Sequence, residues 1–258
     1  MSNILLTGSS GWVGKKLCNR LSEDYAVSTL DTLDYNEFVS AIKDFKKWGY
    51  RYESVIHCGA ISDSSAQDNL LWQMNYQATR DVTDFCREEN FKMIFISSCT
   101  AQSPDMPYGW SKYIGEEYVR LSGIHNCILR PHNIWGFDEG GKKQPSIVYK
   151  TMTRTLPAVY EGCVRDFVYV EDVIDGIVSV VEQWVPGMWE LGTAEPTEIA
   201  NLVENLYGNS IFGRPPLLNE CPVTLRRVAN ADFLLPNWNF SPLSRYMEEI
   251  TEFFLIGA

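Results

Sequence analysis

Tyr108 and Lys112 stand four residues apart in the run Tyr108-Gly109-Trp110-Ser111-Lys112. In a helix that spacing puts both side chains on one face. An ammonium beside a phenol favours the phenolate and pulls the tyrosine pKa down, so the pair could act as a general base or acid near neutral pH. Ser98 ends an apolar run at 93–97 that reads as a strand, and its hydroxyl could bond the same substrate oxygen. A lone Tyr-x-x-x-Lys is common on helix surfaces. Its meaning depends on what accompanies it.

What accompanies it is a loop for phosphates. Residues 3–14 run from an apolar stretch (Ile4, Leu5, Leu6) into Thr7-Gly8-x-x-Gly11-x-x-Gly14, with a helical pattern over 15–21. Strand, tight turn and helix start in that order are the first step of a Rossmann dinucleotide unit. Gly8 permits the turn, Gly11 admits a pyrophosphate to the backbone, and Gly14 lets helix and strand pack closely. The phosphates would meet the free N–H groups of the helix N-terminus. Asp31 ends the next strand, over 26–30. A carboxylate there bonds the adenosine ribose and repels a 2′-phosphate, which favours NAD over NADP. Lys15 and Lys16 could meet a 2′-phosphate, but solvated helix surface suits them better.

Composition narrows the class. The chain has 258 residues, 45% of them hydrophobic and 21% charged, enough for one large α/β domain with a small appended lobe. Its net charge of −11 and the lack of a basic stripe argue against nucleic acid. The seven cysteines are scattered, with no Cys-x-x-Cys pair, so neither a disulfide framework nor a metal site is expected, and a cytoplasmic setting fits. No leader and no membrane-spanning stretch is read.

The elements that must position these residues alternate. Strands are expected at 4–6, 26–30, 55–58, 93–97 and 127–130, and helices at 15–21, 35–48, 70–88 and 108–121. That alternation implies a doubly wound parallel sheet. The texture changes near residue 136. The expected division is an NAD(P)-binding Rossmann domain over 1–136 and a mainly substrate-binding lobe over 137–258, with segments near 166–193 returning to the first. A Gly/Lys-rich loop is expected at 136–145.

Several motifs in one order resemble the extended short-chain dehydrogenase/reductases, specifically the NAD-dependent epimerase/dehydratases of nucleotide sugars. They are the glycine loop, Val55-Ile56-His57-Cys58-Gly59-Ala60, Phe95-Ile96-Ser97-Ser98, the Tyr108/Lys112 pair, Leu129-Arg130-Pro131-His132-Asn133-Ile134-Trp135-Gly136, Arg165-Asp166-Phe167-Val168-Tyr169-Val170-Glu171-Asp172 and Trp189-Glu190-Leu191-Gly192-Thr193. The later segments look somewhat like the heptose-nucleotide 6-epimerase branch. The resemblance implies a catalytic set of Ser98, Tyr108 and Lys112. It implies cofactor contacts at Gly8, Ser10, Gly11, Trp12, Val13, Gly14, Asp31, Cys58, Gly59, Ala60, Asn75, Tyr108, Lys112 and Pro131. It implies substrate contacts at Asn133, Arg165 and Arg227, a nucleotide-sugar substrate, NAD as cofactor, and a homodimer paired through the helices at 70–88 and 108–121.

Each role has a plainer reading beside it. Asn133 also suits a turn, Arg165 could pair with Asp166 or Glu171, and one of Arg226 and Arg227 is expected on solvated surface. His57 is expected in the core, and Trp110 and Trp135 as pocket walls. The family has a further strand before Val55. Here Asp31-Thr32-Leu33-Asp34 leads almost directly to a helix, so either Asp31 serves the ribose and Asp34 the adenine, or one strand is missing. The connection 99–107 is shorter than the family's, leaving the site open or covered by a partner chain. Cys99 and Thr100 stand where dehydratases carry two acids, which disfavours elimination of water. The expected reaction is epimerisation through a keto intermediate. The alternatives are a sugar-nucleotide reductase and a non-catalytic dinucleotide-binding protein.

Overall fold

The computed structural model describes residues 2–62, 66–140, 145–208, 213–219 and 226–256. The chain begins β1 (Asn3–Thr7), α1 (Trp12–Leu21), β2 (Ala26–Leu30), α2 (Tyr35–Trp48) and β3 (Ser54–His57). It continues α3 (Asp68–Leu71), a π-turn (Trp72–Gln77), α4 (Ala78–Glu89), β4 (Lys92–Ile96), α5 (Pro107–Leu121) and β5 (Asn126–Pro131). Then follow β6 (Asn133–Trp135), α6 (Ile147–Met152), β7 (Val159–Tyr160), β8 (Val164–Arg165), β9 (Phe167–Tyr169), α7 (Val170–Gln183) and β10 (Gly187–Leu191). The last elements are β11 (Thr197–Glu198), α8 (Ile199–Tyr207), β12 (Leu217–Leu218), β13 (Arg226–Arg227) and α9 (Met247–Ile256). The Gly/Lys-rich stretch expected at 136–145 lies partly outside the described residues.

Two compact units result. One comprises Met1–Arg130 with Ile174–Trp189, the other Pro131–Val173 with Glu190–Ala258. The chain thus passes from the first unit to the second at Pro131, where β5 ends, six residues before the expected division.

The first unit is built on a six-stranded sheet in the order β10-β5-β4-β3-β1-β2. The pairs β1–β2, β1–β3, β3–β4 and β4–β5 are all parallel. Strands covered on both faces read as unbroken apolar runs, and β3 and residues 93–96 of β4 are buried throughout. The core joins Leu5, Val55, Met93, Phe95 and Ile128 of the sheet to Phe38, Ile42, Val82 and Phe85 of the helices. No strand lies between β2 and α2, so β2 is the sheet edge. Asp34 instead caps α2, its carboxylate accepting from the amides of Asn36 at 2.8 Å and Glu37 at 3.2 Å. Of the two alternatives, the missing strand is the one found.

The helix expected at 70–88 is not continuous. Across 72–77 it widens to a π-turn, with the Ala78 amide reaching back to the Gln73 carbonyl. The wide turn buries Asn75. The hydroxyls of Thr79 and Thr83 then donate to carbonyls four residues back, at 2.6 and 2.7 Å.

The second unit has its own core, of Trp135, Val148, Met152, Phe167, Leu202, Leu206, Ile250 and Phe254. Trp135 packs against Phe137, Tyr169 and Tyr246, with ring centroids 5.1–5.3 Å away. It is a core residue, not a pocket wall. Its small sheets are β11-β8-β13, β12-β7 and β6-β9.

His57 lies in the core of the first unit, stacked on Phe95 at 5.7 Å. Thr7 Oγ1 is 2.7 Å from its Nδ1, and Thr79 Oγ1 is 2.9 Å from its Nε2. Burial lowers its pKa from 6.5 to about 3. Between those values the unfolded chain binds a proton that the folded chain refuses, so stability falls as pH drops from 6.5 towards 3. The loss reaches at most about 5 kcal/mol from this group. Urea unfolding of the protein and of His57→Gln at pH values between 7 and 4 should show this: the variant starts less stable and loses less on acidification.

Candidate active site

Gly8 has φ +78°, and its amide donates to the Leu30 carbonyl at 3.1 Å. A Cβ on Gly8 would lie 2.5 Å from Gly59 Cα, and one on Gly14 only 1.9 Å from the Gly8 carbonyl oxygen. β1, β3 and α1 therefore approach as closely as glycine permits. Gly11 is the N-cap of α1 and has open space around it except for the Gly8 carbonyl oxygen, 3.4 Å from a built Cβ. Trp12 and Val13 start α1 half-buried. The Asp31 carboxylate accepts from the Ser10 amide at 3.0 Å and from the Ser9 hydroxyl. A bare helix N-terminus with a carboxylate at the end of the adjacent strand has the shape and charge that an NAD pyrophosphate and ribose require. The residues fit that group.

Cys58, Gly59 and Ala60 follow β3. The Cys58 amide donates to the Thr7 carbonyl and the Gly59 amide to Thr7 Oγ1, at 3.3 and 3.2 Å. Burial pushes the Cys58 thiol up to about 11, so it stays a neutral thiol. Asn75 commits its side chain to protein: Oδ1 accepts from the Ile61 amide, and Nδ2 donates to the Ile61 carbonyl and Ser111 Oγ. It orients the segment after β3. Ser111 Oγ donates in turn to the Tyr108 carbonyl at 2.7 Å.

Ser98 lies two residues past β4 and caps the 3-10 turn Cys99–Ala101, while Pro107 begins α5 and brings Tyr108 into its first turn. Ser98 acts on the Tyr108 phenol as a hydrogen-bonding neighbour. Burial pushes the Tyr108 phenol up to about 12, with Ser98 pulling it down. Lys112 is buried, its Nζ donating to the Ile96 carbonyl at 2.7 Å and lying 4.3 Å from the centre of the Phe95 ring. Burial lowers its pKa to about 8. The expectation that Lys112 acidifies Tyr108 is thus corrected for the protein alone. The ammonium is turned to a carbonyl and a ring face, and desolvation governs the phenol. One turn beyond, buried Glu116 takes Arg130 in a two-bond pair at 2.9 and 2.6 Å. Sequence reasoning missed Glu116, although its place four residues after Lys112 on an inward helix face was a usable signal.

The second unit holds Pro131, buried at the end of β5, and the candidate substrate residues. Asn133 donates through its backbone and Nδ2 to the Asp166 carbonyl, at 3.1 and 2.9 Å. The Asp166 carboxylate accepts from the amides of Thr193, Ala194 and Ala229 and from the Thr193 hydroxyl, at 2.7–3.2 Å. It is a buried hub that sequence reading did not find. Arg165 on β8 is in register with Arg227 on the parallel strand β13, and both are buried. Side chains in register leave a sheet on the same face. Arg226 is exposed, as one of that pair was expected to be.

The model of the NAD dependent epimerase/dehydratase family matches residues 4–192. The chain belongs to that family. A putative UDP-glucose 4-epimerase of Methanocaldococcus jannaschii is 28% identical over 262 residues, covering 82% of this chain and 86% of its own. The UDP-glucose 4-epimerase of Thermotoga maritima, solved with UDP-glucose, has the same fold, with a TM-score of 0.76 at 20% identity over 98% of this chain and 99% of that one. A UDP-N-acetylglucosamine 4-epimerase of Methanobrevibacter ruminantium, solved with UDP-N-acetylmuramic acid, gives 0.79 at 19% identity over 98% and 97%. The family is NAD-dependent. Among the described residues no helix is long and apolar enough to cross a membrane.

Gly14→Ala tests the cradle. Its methyl must displace the Gly8 carbonyl, so NAD binding measured by calorimetry should weaken at least about 100-fold, and stability should fall by about 1–3 kcal/mol.

Proposed function

We propose that this protein epimerises the sugar of a nucleoside diphosphate sugar by oxidising one hydroxyl and reducing it again from the other face. What carries this reading is that Ser98, Tyr108 and buried Lys112 stand in the unit that also holds the glycine cradle, with Ser98 pulling the Tyr108 phenol down. When bound, NAD⁺ supplies the acceptor that takes and returns hydride, together with a positive charge that favours the phenolate. Tyr108 removes the proton from the sugar hydroxyl. Ser98 donates to that oxygen as it becomes a carbonyl. Lys112 adds positive charge and holds the nicotinamide ribose. On the return step Tyr108 gives its proton back.

Arg165, Arg227 and Asn133 are the candidates for the substrate phosphates. Arg165 and Arg227 are buried on register-paired strands, and their charged, forked side chains suit a dianion. Asn133 supports the same group. Uridine diphosphate sugars are the first to test, because the archaeal relative and the two solved structures are named for them. Neither Cys99 nor Thr100 is an acid that could protonate a departing hydroxyl, so dehydration is disfavoured.

A homodimer through α4 and α5 belongs to the same proposal. Tyr76 of the π-turn, Arg87 of α4 and Ile114, Glu117, Tyr118 and Leu121 of α5 line a hollow, with Trp110 and Tyr113 exposed on α5. Ile114→Asp places a charge in that hollow, and light scattering should then find a monomer where the unaltered protein gives a dimer. A monomer in both sinks the pairing.

Incubation with UDP-glucose or UDP-N-acetylglucosamine and no added reductant should yield the epimer with no net change in NADH absorbance. Tyr108→Phe should lower kcat by about 10³-fold and leave NAD binding intact. Stoichiometric NADH consumption would instead identify a reductase.

A further inference from the structure

A serine hydroxyl has one proton to give and two lone pairs to receive. In the proposed reaction Ser98 must donate, since the oxygen it serves is gaining negative charge. If Ser98 accepted from the Tyr108 hydroxyl instead, it would stabilise the neutral phenol and oppose the reaction. Nothing in Ser98 itself decides between these two orientations. Its surroundings do.

Ser98 has extended backbone, with φ −160° and ψ 149°, and its side chain folds forward over the turn that follows. Ser98 Oγ accepts from the Thr100 amide at 3.2 Å. The Thr100 hydroxyl donates to the same oxygen at 2.9 Å. Both bonds arrive from one residue, and together they fill the acceptor capacity of Ser98. What remains is its proton, and Ser98 acts on the Tyr108 phenol in the sense of a donor, pulling its pKa down.

The turn is held against the helix that carries Tyr108. A Cβ on Gly109 would lie 3.0 Å from the Thr100 carbonyl oxygen and 3.2 Å from Pro104 Cα. Backbone meets backbone there, so the distance between Thr100 and the first turn of α5 has little slack. This contact also explains how a connection as short as 99–107 keeps Ser98 and Tyr108 together.

We infer that Thr100 is a positioning residue that fixes Ser98 as an obligate hydrogen-bond donor toward the Tyr108 hydroxyl and the substrate oxygen. The substrate part of this inference rests on the proposed epimerisation, whereas the part concerning Tyr108 rests on the two Thr100–Ser98 hydrogen bonds and on the pull of Ser98 on the phenol. Thr100 sits where the dehydratases of the family carry an acid, and here it acts by orienting a proton that another residue donates. A bond received by Ser98 also strengthens the bond it gives, because chained hydrogen bonds polarise one another.

The test uses Thr100→Val, which keeps the shape and removes the donor, and Thr100→Ser, which restores it. Protein labelled with 3-fluorotyrosine titrates its phenols at lower pH, and the Tyr108 fluorine resonance is assigned by its loss in Tyr108→Phe. Thr100→Val should raise the midpoint of that resonance by about one pH unit, and Thr100→Ser should return it. In turnover of a nucleotide sugar, Thr100→Val should lower kcat about ten-fold with KM unchanged, the size of one weakened bond to a charged group. Its pH–rate profile should move to higher pH. Thr100→Ala, which adds no bulk to the turn, must give the same midpoint shift. The inference is overturned if the midpoint stays in place in both variants, or if serine fails to restore it. A role confined to stability would lower the unfolding temperature without moving the midpoint. Should the unaltered protein turn over no nucleotide sugar, the proposed reaction falls, while the fluorine titration still decides the part played by Thr100.

Discussion

A buried run of hydrogen bonds holds the nucleotide cradle and the catalytic helix to one frame. The Gly59 amide donates to Thr7, Thr7 lies against one ring nitrogen of His57, and the other ring nitrogen lies against Thr79, whose hydroxyl donates to the Asn75 carbonyl. Because Thr79 gives its proton away, it can only receive from His57. That places the imidazole proton on Nε2 and leaves Nδ1 to accept from Thr7. Asn75 then grips Ile61 and Ser111, and Ser111 reaches the backbone of Tyr108. The side chains of Thr7, His57, Asn75, Thr79 and Ser111 are buried, where an unmade bond is expensive. The network therefore has two settings, intact or broken, and the intact one sets where Tyr108 stands relative to the turn at Gly8.

The same burial shapes the acid–base chemistry. In the protein alone, desolvation keeps Tyr108 neutral and leaves Lys112 only weakly basic. Ser98 works against desolvation on the phenol, and Glu116 works against it on the ammonium. A site whose charges are held back this way is suited to change state when a positively charged ligand enters. The reactivity belongs to the loaded protein rather than to the phenol by itself.

Much of this was legible in the sequence, for physical reasons that differ from residue to residue. Strands covered on both faces cannot hide, since β4 is apolar at every position after Lys92 and β3 is centred on Val55 and Ile56. The glycine loop was readable because only that residue type tolerates an approach of 1.9–2.5 Å by a built Cβ. The π-turn at 72–77 was not readable. It slips the apolar face by one residue, which a helical periodicity absorbs without trace. The direction of Lys112 was hidden too, because spacing fixes a helix face and not the rotamer of a long flexible side chain. Arg165 and Arg227 met across two-residue strands, too short for any periodic signal to announce their pairing. Asp166 looked like a possible partner for its neighbour Arg165. Alternation along the chain turned it instead to backbone amides gathered from distant segments.

The sheet ends on β2, five residues long and half exposed. Any free sheet margin is a template on which a stray chain can nucleate. Here the template carries Ala26, Ser28 and Thr29, with Glu23 and Asp24 before it and Asp31 after it. An incoming segment would find few amides to pair with, little greasy surface to cover and negative charge at both ends. The architecture thus forgoes one protective strand without inviting polymerisation.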